Sequence, residues 1–174
     1  MTIELSGRAR VLGDDINTDY IIASTRKRDT LDEQILKRYL LETVDPAFAA
    51  SVRPGDIIVA GSNFGCGSAM EIAVTVILAA GIKAVLARSF SRTFFRNAVN
   101  NGLLPIECNT TGIIEGDTLE ISAGESGAAI SDHQRGLRIS ARPLPPMMGE
   151  ILEAGGLVEY VRRGHWSRGV AEAG

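Results

Sequence analysis

The chain contains few of the side chains that bind metals or carry out redox chemistry. Its 174 residues include two cysteines, Cys66 and Cys108, and two histidines, His133 and His165. The cysteines lie far apart and form no C-x-x-C pair, so they cannot by themselves hold a structural zinc ion or an iron–sulfur cluster. Both histidines have polar or glycine neighbours, which is typical of the protein surface. The sequence therefore predicts neither a metal site nor a cofactor site in this chain.

Strong charge and long apolar runs are missing as well. The net charge of −3 gives no electrostatic reason to expect nucleic acid or an anionic membrane as a partner. The longest apolar stretch, residues 72–86, is interrupted by Thr75 and Lys83 and is too short to cross a bilayer. The N-terminal residues lack the basic start and apolar core of a signal peptide, so we expect a cytoplasmic location. The length suits a single domain over residues 1–174, with a frayed tail at residues 164–174.

The set of candidate catalytic residues is small. The sequence contains no Ser-His-Asp set to argue for, no pair of carboxylates on one predicted helix face and no fingerprint for a nucleotide cofactor. A large self-contained pocket is not evident from the pattern either. These absences favour an enzyme subunit or a binding module.

The most informative segment present is the glycine-rich sequence GSNFGCGSAME at residues 61–71. It follows an apolar run and precedes an apolar-rich segment, a pattern that predicts a strand, a loop and a helix. The glycines let the backbone turn tightly and bring N–H groups close to a ligand. The loop also brings Ser68 to the predicted helix start, where unpaired N–H groups favour an anion. This arrangement suits a site that binds a carboxylate or uses an ionised serine oxygen.

A purely structural interpretation of the same residues stays open. Ser68 and Glu71 fit the S-x-x-E capping box, in which both side chains only close the helix N-terminus. The loop matches neither the dinucleotide fingerprint nor the P-loop, because no Lys-Ser or Lys-Thr pair follows it. Capping and catalysis by Ser68 are compatible with each other. Capping accounts for the helix but leaves Asn63, Cys66 and the glycines unexplained.

The remaining pattern predicts a mixed α and β domain. Residues 56–60, 69–80 and 83–87 predict a strand–helix–strand unit with parallel strands. Ser91 is expected to cap a helix that Gly102 ends. The other expected elements are a strand at 8–12, an exposed loop at 24–30, helices at 31–41 and 47–52, a strand at 103–107, short strands between 112 and 139, a helix at 147–155, and a strand or helix end at 156–161.

Five segments, taken in order and spacing, resemble a known family. They are residues 13–22 (GDDINTDYII), 63–68 (NFGCGS), 89–92 (SFSR), 97–105 and 153–157 (EAGGL). Together they resemble the small subunits of 3-isopropylmalate dehydratases, in the aconitase superfamily, over residues 7–163. The resemblance implies an α/β fold, the aconitase swivelling domain, with a barrel-like β/β/α arrangement.

The resemblance also implies an activity and a partner. It implies a hydro-lyase that isomerises a small hydroxy-dicarboxylic acid by dehydration and rehydration. It further implies a separate large subunit that carries a [4Fe–4S] cluster and without which this chain is inactive. The family's serine base corresponds to Ser68, and Asp19 is the second catalytic residue that the resemblance indicates. The implied substrate-binding positions are Asn63, Gly65, Gly67 and Ala69.

The chain departs from the family pattern within the same motif. The family has Gly-Ser-Ser-Arg-Glu-His, whereas residues 67–72 of this chain are Gly-Ser-Ala-Met-Glu-Ile. The arginine of that pattern holds a substrate carboxylate, which Met70 cannot do. Either another cation takes over, with Arg26 or Arg28 in the family's substrate-selecting loop as candidates, or the substrate lacks that carboxylate. The alternative for these basic residues, and for Lys27 between them, is a solvated loop.

Three functions therefore remain open at this stage. The first is the small subunit of a 3-isopropylmalate dehydratase. The second is the small subunit of a homoaconitase-like enzyme or of another hydroxy-acid dehydratase. The third is a non-catalytic paralogue that regulates a large subunit, which the altered motif favours and the presence of Ser68, Asn63 and Asp19 disfavours.

Overall fold

The computed structural model describes residues 2–164 and is organised around one seven-stranded sheet. The strands are β1 (Thr2–Val11), β2 (Ile57–Ala60), β3 (Ala84–Ala87), β4 (Leu104–Glu107), β5 (Thr118–Gly124), β6 (Gly127–Asp132) and β7 (Leu137–Ala141), in the spatial order β4-β3-β2-β1-β5-β6-β7. Strand β1 pairs in parallel with β2 and antiparallel with β5. One half of the sheet is therefore parallel, and the other half is an antiparallel meander.

Short helices connect and cover the strands. They are α1 (Thr18–Ile21), α2 (Ser24–Lys27), α3 (Glu33–Leu36), α4 (Phe48–Ser51), α5 (Glu71–Ala79), α6 (Arg92–Asn101), α7 (Pro146–Ala154) and α8 (Leu157–Arg162). Helix α3 continues into a 3₁₀ turn, Lys37–Tyr39. Helices α5 and α6 are the crossovers of the parallel strands β2, β3 and β4. No helix within residues 2–164 is long and apolar enough to span a membrane.

The parallel strands are covered on both faces. All four residues of β2 and all four of β3 are buried, as expected for strands between two layers. Ile58 and Val85 join one apolar cluster together with the buried face of α5. Ile57 and Leu86 point the other way, into a second cluster that includes residues of β5, β6 and α7. The sheet curls around this second cluster as a half-barrel, in agreement with the predicted α/β, barrel-like fold.

Several elements match the sequence-based expectation and others differ. The β2–α5–β3 unit is parallel as predicted, and Ser91 Oγ accepts a hydrogen bond from the Phe94 N–H (3.3 Å), which caps α6. Gly102 ends α6 with φ of +83°. Strand β1 begins six residues earlier than predicted, because its first half alternates half-buried and exposed residues along β5. The predicted frayed tail lies, apart from Gly164, outside the described residues.

Two segments between β1 and β2 were assigned incorrectly from sequence. Residues 24–30, expected to be an exposed loop, contain helix α2, whose Arg26 side chain packs on the Tyr39 ring with its Cζ 3.9 Å from the centroid. Because a charged residue occupies the packed position, the sequence shows no apolar periodicity there, and the helix was not predicted. The helix predicted at 31–41 stops early, since Leu41 has φ of +57° and its N–H donates to Ile21 O. Residues 156–161, left open between strand and helix, form α8.

A buried ionic network joins β1 to the turn before β2. Asp56, 3% exposed, accepts hydrogen bonds from Arg8 Nη2 at 2.7 Å and from Arg10 Nη1 at 3.4 Å. Arg10, 5% exposed, also donates to Glu115 Oε1 at 2.8 Å. Burial alone raises the pKa of Asp56, but hydrogen bonds from Arg8 and from the Arg53 N–H outweigh it, so the net pKa lies below the usual value. The Asp56 carboxylate is thus ionised and stabilises the pairing of β1 with β2.

We expect Asp56→Asn to lower the free energy of unfolding by about 3 kcal/mol, because it removes the counter-charge shared by the half-buried Arg8 and the buried Arg10 and leaves Arg10 with Glu115 alone. Urea unfolding at neutral pH measures the change. The matched control is Glu159→Gln, which removes an exposed i,i+3 pair with Arg162. Loss of such a surface pair changes stability by less than about 0.5 kcal/mol.

Wild type and Asp56→Asn also test the direction of the Asp56 pKa shift. Since the folded-state pKa of Asp56 is lowered, its stabilisation is present above the unfolded-state pKa, about 3.9, and is lost as pH falls through the folded-state value. The difference in unfolding free energy between wild type and Asp56→Asn should therefore narrow from pH 7 to pH 3. A constant difference over that range contradicts the assignment.

Candidate active site

The glycine-rich loop lies at the carboxyl ends of the parallel strands, where α/β sheets usually bind ligands. It follows β2 and lies between two other loops, one after β1 and one after β3. Gly61 N–H donates to Gly13 O on the β1 side (3.0 Å), and Gly61 O accepts from Arg88 N–H on the β3 side (3.0 Å). The loop is thus held from both sides by the backbone.

Hydrogen bonds fix the loop to the residues after β1. Gly65 N–H donates to Ile16 O (2.7 Å), and Thr18 N–H donates to Cys66 O (2.9 Å). The buried Thr18 hydroxyl donates to Ser68 O (2.9 Å). These three bonds set the path of the backbone from Gly65 to Ser68.

A phenylalanine cluster supports the loop from the β3 side. Phe64 N–H donates to Ser89 O, and Ser91 N–H donates to Phe64 O, both at 3.0 Å. The Phe64 ring contacts the Phe94 ring edge to face, with centroids 5.1 Å apart, and Phe90 stacks parallel to Phe94. The loop therefore rests on rigid aromatic surface.

Two of the predicted binding residues are glycines for identifiable reasons. Gly65 has φ of +78°, and a Cβ there would approach Phe94 Cγ to 2.2 Å. Gly67 has φ of +91°, and a Cβ would come 3.3 Å from Asn17 Cγ. The backbone conformation disfavours any side chain at both positions. Because the Gly65 N–H is already bonded to Ile16 O, this glycine shapes the loop and offers no donor to a ligand.

Helix α5 begins later than the capping box predicts. Its first residue is Glu71, the N-cap position is occupied by Met70, and no side chain caps the helix. The capping-box interpretation of Ser68 is therefore wrong. The physical reason is the Thr18 hydrogen bond to the Ser68 carbonyl, which holds Ser68 in the loop, outside the first turn.

An uncapped helix start leaves donors free beside Ser68. Within the described residues, no acceptor is recorded for the backbone N–H groups of residues 67–70. Ser68 is exposed, and its hydroxyl makes no recorded hydrogen bond to residues 2–164. Ala69, a predicted binding position, is exposed next to it. A serine hydroxyl and a row of unpaired N–H groups thus face solvent at the positive end of the α5 dipole.

Helices α1 and α2 bring charged side chains to this helix start. Asp19 lies in the first turn of α1, and its Oδ1 accepts from Ser24 Oγ (2.5 Å). The same oxygen is 3.6 Å from Lys27 Nζ, whose side chain is 13% exposed. Lys27 Nζ also contacts Met70 Sδ. The structure therefore brings Asp19, Lys27 and the N-cap residue of α5 together.

Of the two arginines predicted to compensate for Met70, Arg26 is held by other residues, whereas Arg28 is exposed to solvent. Arg26 donates to both carboxylate oxygens of Glu42 (2.8 and 3.0 Å) in addition to its packing on Tyr39. Arg28 is exposed and has no hydrogen bond or ion pair recorded with residues 2–164. Sequence reasoning grouped Lys27 with these arginines, and nothing in the pattern of three adjacent cations distinguishes the one that points to the loop.

Polar residues on the other side of the loop hold Asn63. Its φ is +62°, its Nδ2 donates to Asp15 Oδ1 (2.9 Å), and its N–H donates to Ser89 Oγ (2.8 Å). Next to it, Asp14 Oδ1 accepts from Ser62 N–H and from Arg88 Nη2, both at 2.7 Å. The Ser62 N–H and then Arg88 lower the pKa of the Asp14 carboxyl. Sequence reasoning missed the Asp14–Arg88 pair, which supports the loop. The two residues lie 74 positions apart and form no motif that would indicate the contact.

The cysteines do not form a cluster site in this chain. Cys66 lies in the glycine loop, and burial followed by the charge of Asp15 raises the pKa of its thiol. Cys108 follows β4, and burial raises its pKa to about 11. In the part of the chain that the structure describes, no three His, Cys, Asp or Glu side chains are grouped to hold a metal ion. His133 is exposed near Glu120, whereas His165 lies outside that part. These residues do not fit an iron–sulfur cluster.

Comparison with known proteins places this geometry in a family. The aconitase C-terminal domain family matches residues 13–111. The chain is 42% identical over 164 residues to the 3-isopropylmalate dehydratase small subunit of Halothermothrix orenii, covering 93% of this chain and 98% of that protein. It is 43% identical over 159 residues to the methanogen homoaconitase small subunit of Methanocaldococcus jannaschii, covering 91% of this chain and 92% of that protein.

A solved structure extends the similarity to the fold. The crystal structure of 3-isopropylmalate dehydratase (LeuD) from Methanocaldococcus jannaschii is 41% identical and superposes with a TM-score of 0.88, covering 99% of this chain and 100% of that chain. The swivelling-domain fold that the sequence motifs implied is thereby confirmed. The chain belongs to the family of 3-isopropylmalate dehydratase small subunits, in the aconitase superfamily.

Proposed function

We propose that this chain is the small subunit of a hydro-lyase of the 3-isopropylmalate dehydratase type, which isomerises a hydroxy-dicarboxylic acid by dehydration and rehydration together with an iron–sulfur large subunit. The observation that carries this proposal is the exposed Ser68 hydroxyl beside the uncapped start of α5. The names of the relatives at 41–46% identity support the reaction class. A cytoplasmic location remains part of the proposal.

In this proposal Ser68 takes the proton from the substrate carbon. An ionised serine oxygen requires nearby donors, and the free N–H groups of residues 67–70 together with the α5 dipole supply them. Asp19 is the second catalytic residue of this proposal. Its carboxylate has the Ser24 hydroxyl and the Lys27 ammonium as neighbours. Asn63, held by Asp15 at the opposite side of the loop, completes the polar rim toward the substrate.

The remaining chemistry is assigned to the partner. The large subunit's cluster supplies Lewis acidity to the hydroxyl group that leaves as water. This chain offers no cluster ligands within residues 2–164, so its contribution is the base and the binding of the acid. A small subunit whose Ser68 faces solvent leaves one side of the active site for the partner to cover.

Lys27 is the best-placed cation for a substrate carboxylate. Its ammonium lies against the sulfur of Met70, the position at which the family pattern has arginine. Arg26 is occupied by Glu42, and Arg28 remains a second, exposed option. An ammonium binds a carboxylate as a point charge and lacks the bidentate fork of arginine. Replacement of the family's arginine by Lys27 as the carboxylate-binding cation therefore favours a hydroxy-dicarboxylic acid whose carboxylate is placed differently.

Two alternatives keep specific support. A homoaconitase-like function is supported by the 43% identity to the methanogen homoaconitase small subunit. A regulatory paralogue without activity is supported by Met70 and Ile72, which replace the arginine and histidine of the family motif. Turnover of a panel of hydroxy-dicarboxylic acids by this chain with its large subunit separates the three functions.

The isolated chain should show neither hydro-lyase activity nor iron–sulfur absorption after anaerobic reconstitution with iron and sulfide, because it lacks three cysteines in cluster spacing. Addition of the large subunit should produce both. Visible absorption and substrate turnover measure the two properties separately. A brown, cluster-containing isolated chain contradicts the division of labour between subunits.

We expect Ser68→Ala to lower kcat of the assembled enzyme by about two to four orders of magnitude, the usual effect of removing a general base. Because Ser68 does not cap α5, its removal should change the unfolding free energy by less than about 0.5 kcal/mol. Ser126→Ala, in the β5–β6 turn, is the matched control and should retain full turnover. Wild-type turnover in Ser68→Ala would remove the serine from the mechanism.

We expect Lys27→Met to raise KM for the dicarboxylic substrate by roughly one to two orders of magnitude, because a charge-assisted contact to a carboxylate is worth about 1.5–3 kcal/mol. Methionine keeps the apolar packing against Met70 while removing the charge. Lys37→Met, on the exposed 3₁₀ turn, is the control and should leave KM unchanged. An unchanged KM in Lys27→Met with a raised KM in Arg28→Ala transfers the role to Arg28.

A further inference from the structure

A cavity of about 630 Å³ lies in the curled half of the sheet and shares no residue with the glycine loop. It is lined by residues of β4, of the β5–β6 hairpin, of the segment 142–146 and of α7. The sequence pattern gave no indication of it, because its walls come from segments far apart in the chain. Its volume falls within the range of small-molecule sites, about 300–1,000 Å³.

Part of the cavity wall is apolar and leaves room for an apolar body. The apolar wall residues include Ile3, Phe95, Leu104, Ile106 and Leu144. Ala123 on β5 and Ala128 on β6 are cross-strand partners, and both line the cavity. Two small side chains facing each other leave space that larger residues in this register would fill.

The charges around the cavity favour a cationic group. Four glutamates and two arginines line it, which leaves a formal charge of −2. They are Glu107, Glu125, Glu150, Glu153, Arg88 and Arg142. Arg88 is already paired with Asp14, which is outside the cavity. Glu125 and Glu153 have no hydrogen bond or ion pair recorded with residues 2–164, so their carboxylates are available to a ligand.

We propose that this cavity is a second ligand site, which binds a small molecule with an apolar body and an ammonium group. The apolar body contacts the Leu104 and Ile106 walls, and the ammonium donates to Glu125 and Glu153. Both a free alkylamine and an apolar amino acid carry this chemistry. In the amino acid, the additional carboxylate has Arg142 at the same rim as its partner.

The only thiol in the lining is unreactive, which favours non-covalent binding over covalent chemistry. Cys108 lines the cavity, and burial raises its pKa to about 11. At neutral pH it is therefore a protonated thiol and a poor nucleophile. The cavity thus offers surface and charge to a ligand and no reactive group.

The test uses the full chain and three probes with matched carbon skeletons: 3-methylbutylamine, leucine and 4-methylpentanoate. We expect the amine and leucine to shift the amide and methyl NMR signals of Leu104, Ile106 and Ala128 saturably, with a dissociation constant on the order of 1 mM. The carboxylate, which lacks the ammonium, should bind at least about five-fold more weakly. Leucine binding more tightly than the amine, with the advantage lost in Arg142→Gln, identifies the amino acid as the ligand class; equal binding identifies the amine.

Two variants separate charge from shape. Glu125→Gln combined with Glu153→Gln should weaken amine binding about five-fold or more and leave 4-methylpentanoate binding unchanged or stronger. Ala128→Phe should abolish binding of all three probes by filling the cavity. Glu159→Gln on α8 removes a single carboxylate outside the cavity and should change nothing. The proposal is overturned if neither the amine nor leucine shifts these signals saturably, or if the carboxylate binds as tightly as the amine.

Discussion

The geometry of the candidate active site depends on the hydrogen bonds of Thr18. Its N–H and hydroxyl hold two carbonyls of the glycine loop, those of Cys66 and Ser68. Because the Ser68 carbonyl is held outside the helix, α5 starts only at Glu71 and its first N–H groups remain unpaired. One buried threonine therefore determines both the exposure of the Ser68 hydroxyl and the availability of donors around it. The same contact explains why this serine does not cap the helix.

Strand β1 connects this site to the stability of the fold. Strand β1 lies at the centre of the sheet, carries the buried Arg10–Asp56 contact near its C-terminal end, and leads directly into the loop with Asp14 and Thr18. Asp14 in turn binds Arg88, which also lines the cavity in the curled half of the sheet. The supports of the glycine loop and the wall of the cavity thus share a side chain.

Sequence alone predicted what depends on local pattern and failed where distant contacts decide. The β2–α5–β3 unit, the Ser91 cap and the Gly102 helix end follow from apolar runs and residue types that act over a few positions. The start of α5 could not be predicted, because Thr18 is 50 residues away from Ser68. Among three adjacent cations, the sequence does not show which one reaches the loop. In the structure Arg26 packs on Tyr39, whereas Lys27 contacts Met70. The cavity depends on the curl of the sheet, which no local pattern encodes.

The altered motif changes the chemistry of the loop without changing its frame. The backbone hydrogen bonds that hold the loop, made by Thr18, Gly65 and Phe64, do not involve the side chains at positions 69, 70 and 72. Met70 and Ile72 pack against the apolar cluster that contains Phe64 and Phe94, so these two positions contribute to packing as well as to the charge presented at the helix start. In the proposed function, Lys27 Nζ, which contacts the sulfur of Met70, supplies from α2 the positive charge that the family pattern carries at position 70. On that proposal, the cation that faces the substrate acid differs while the backbone of the loop holds Ser68 in place.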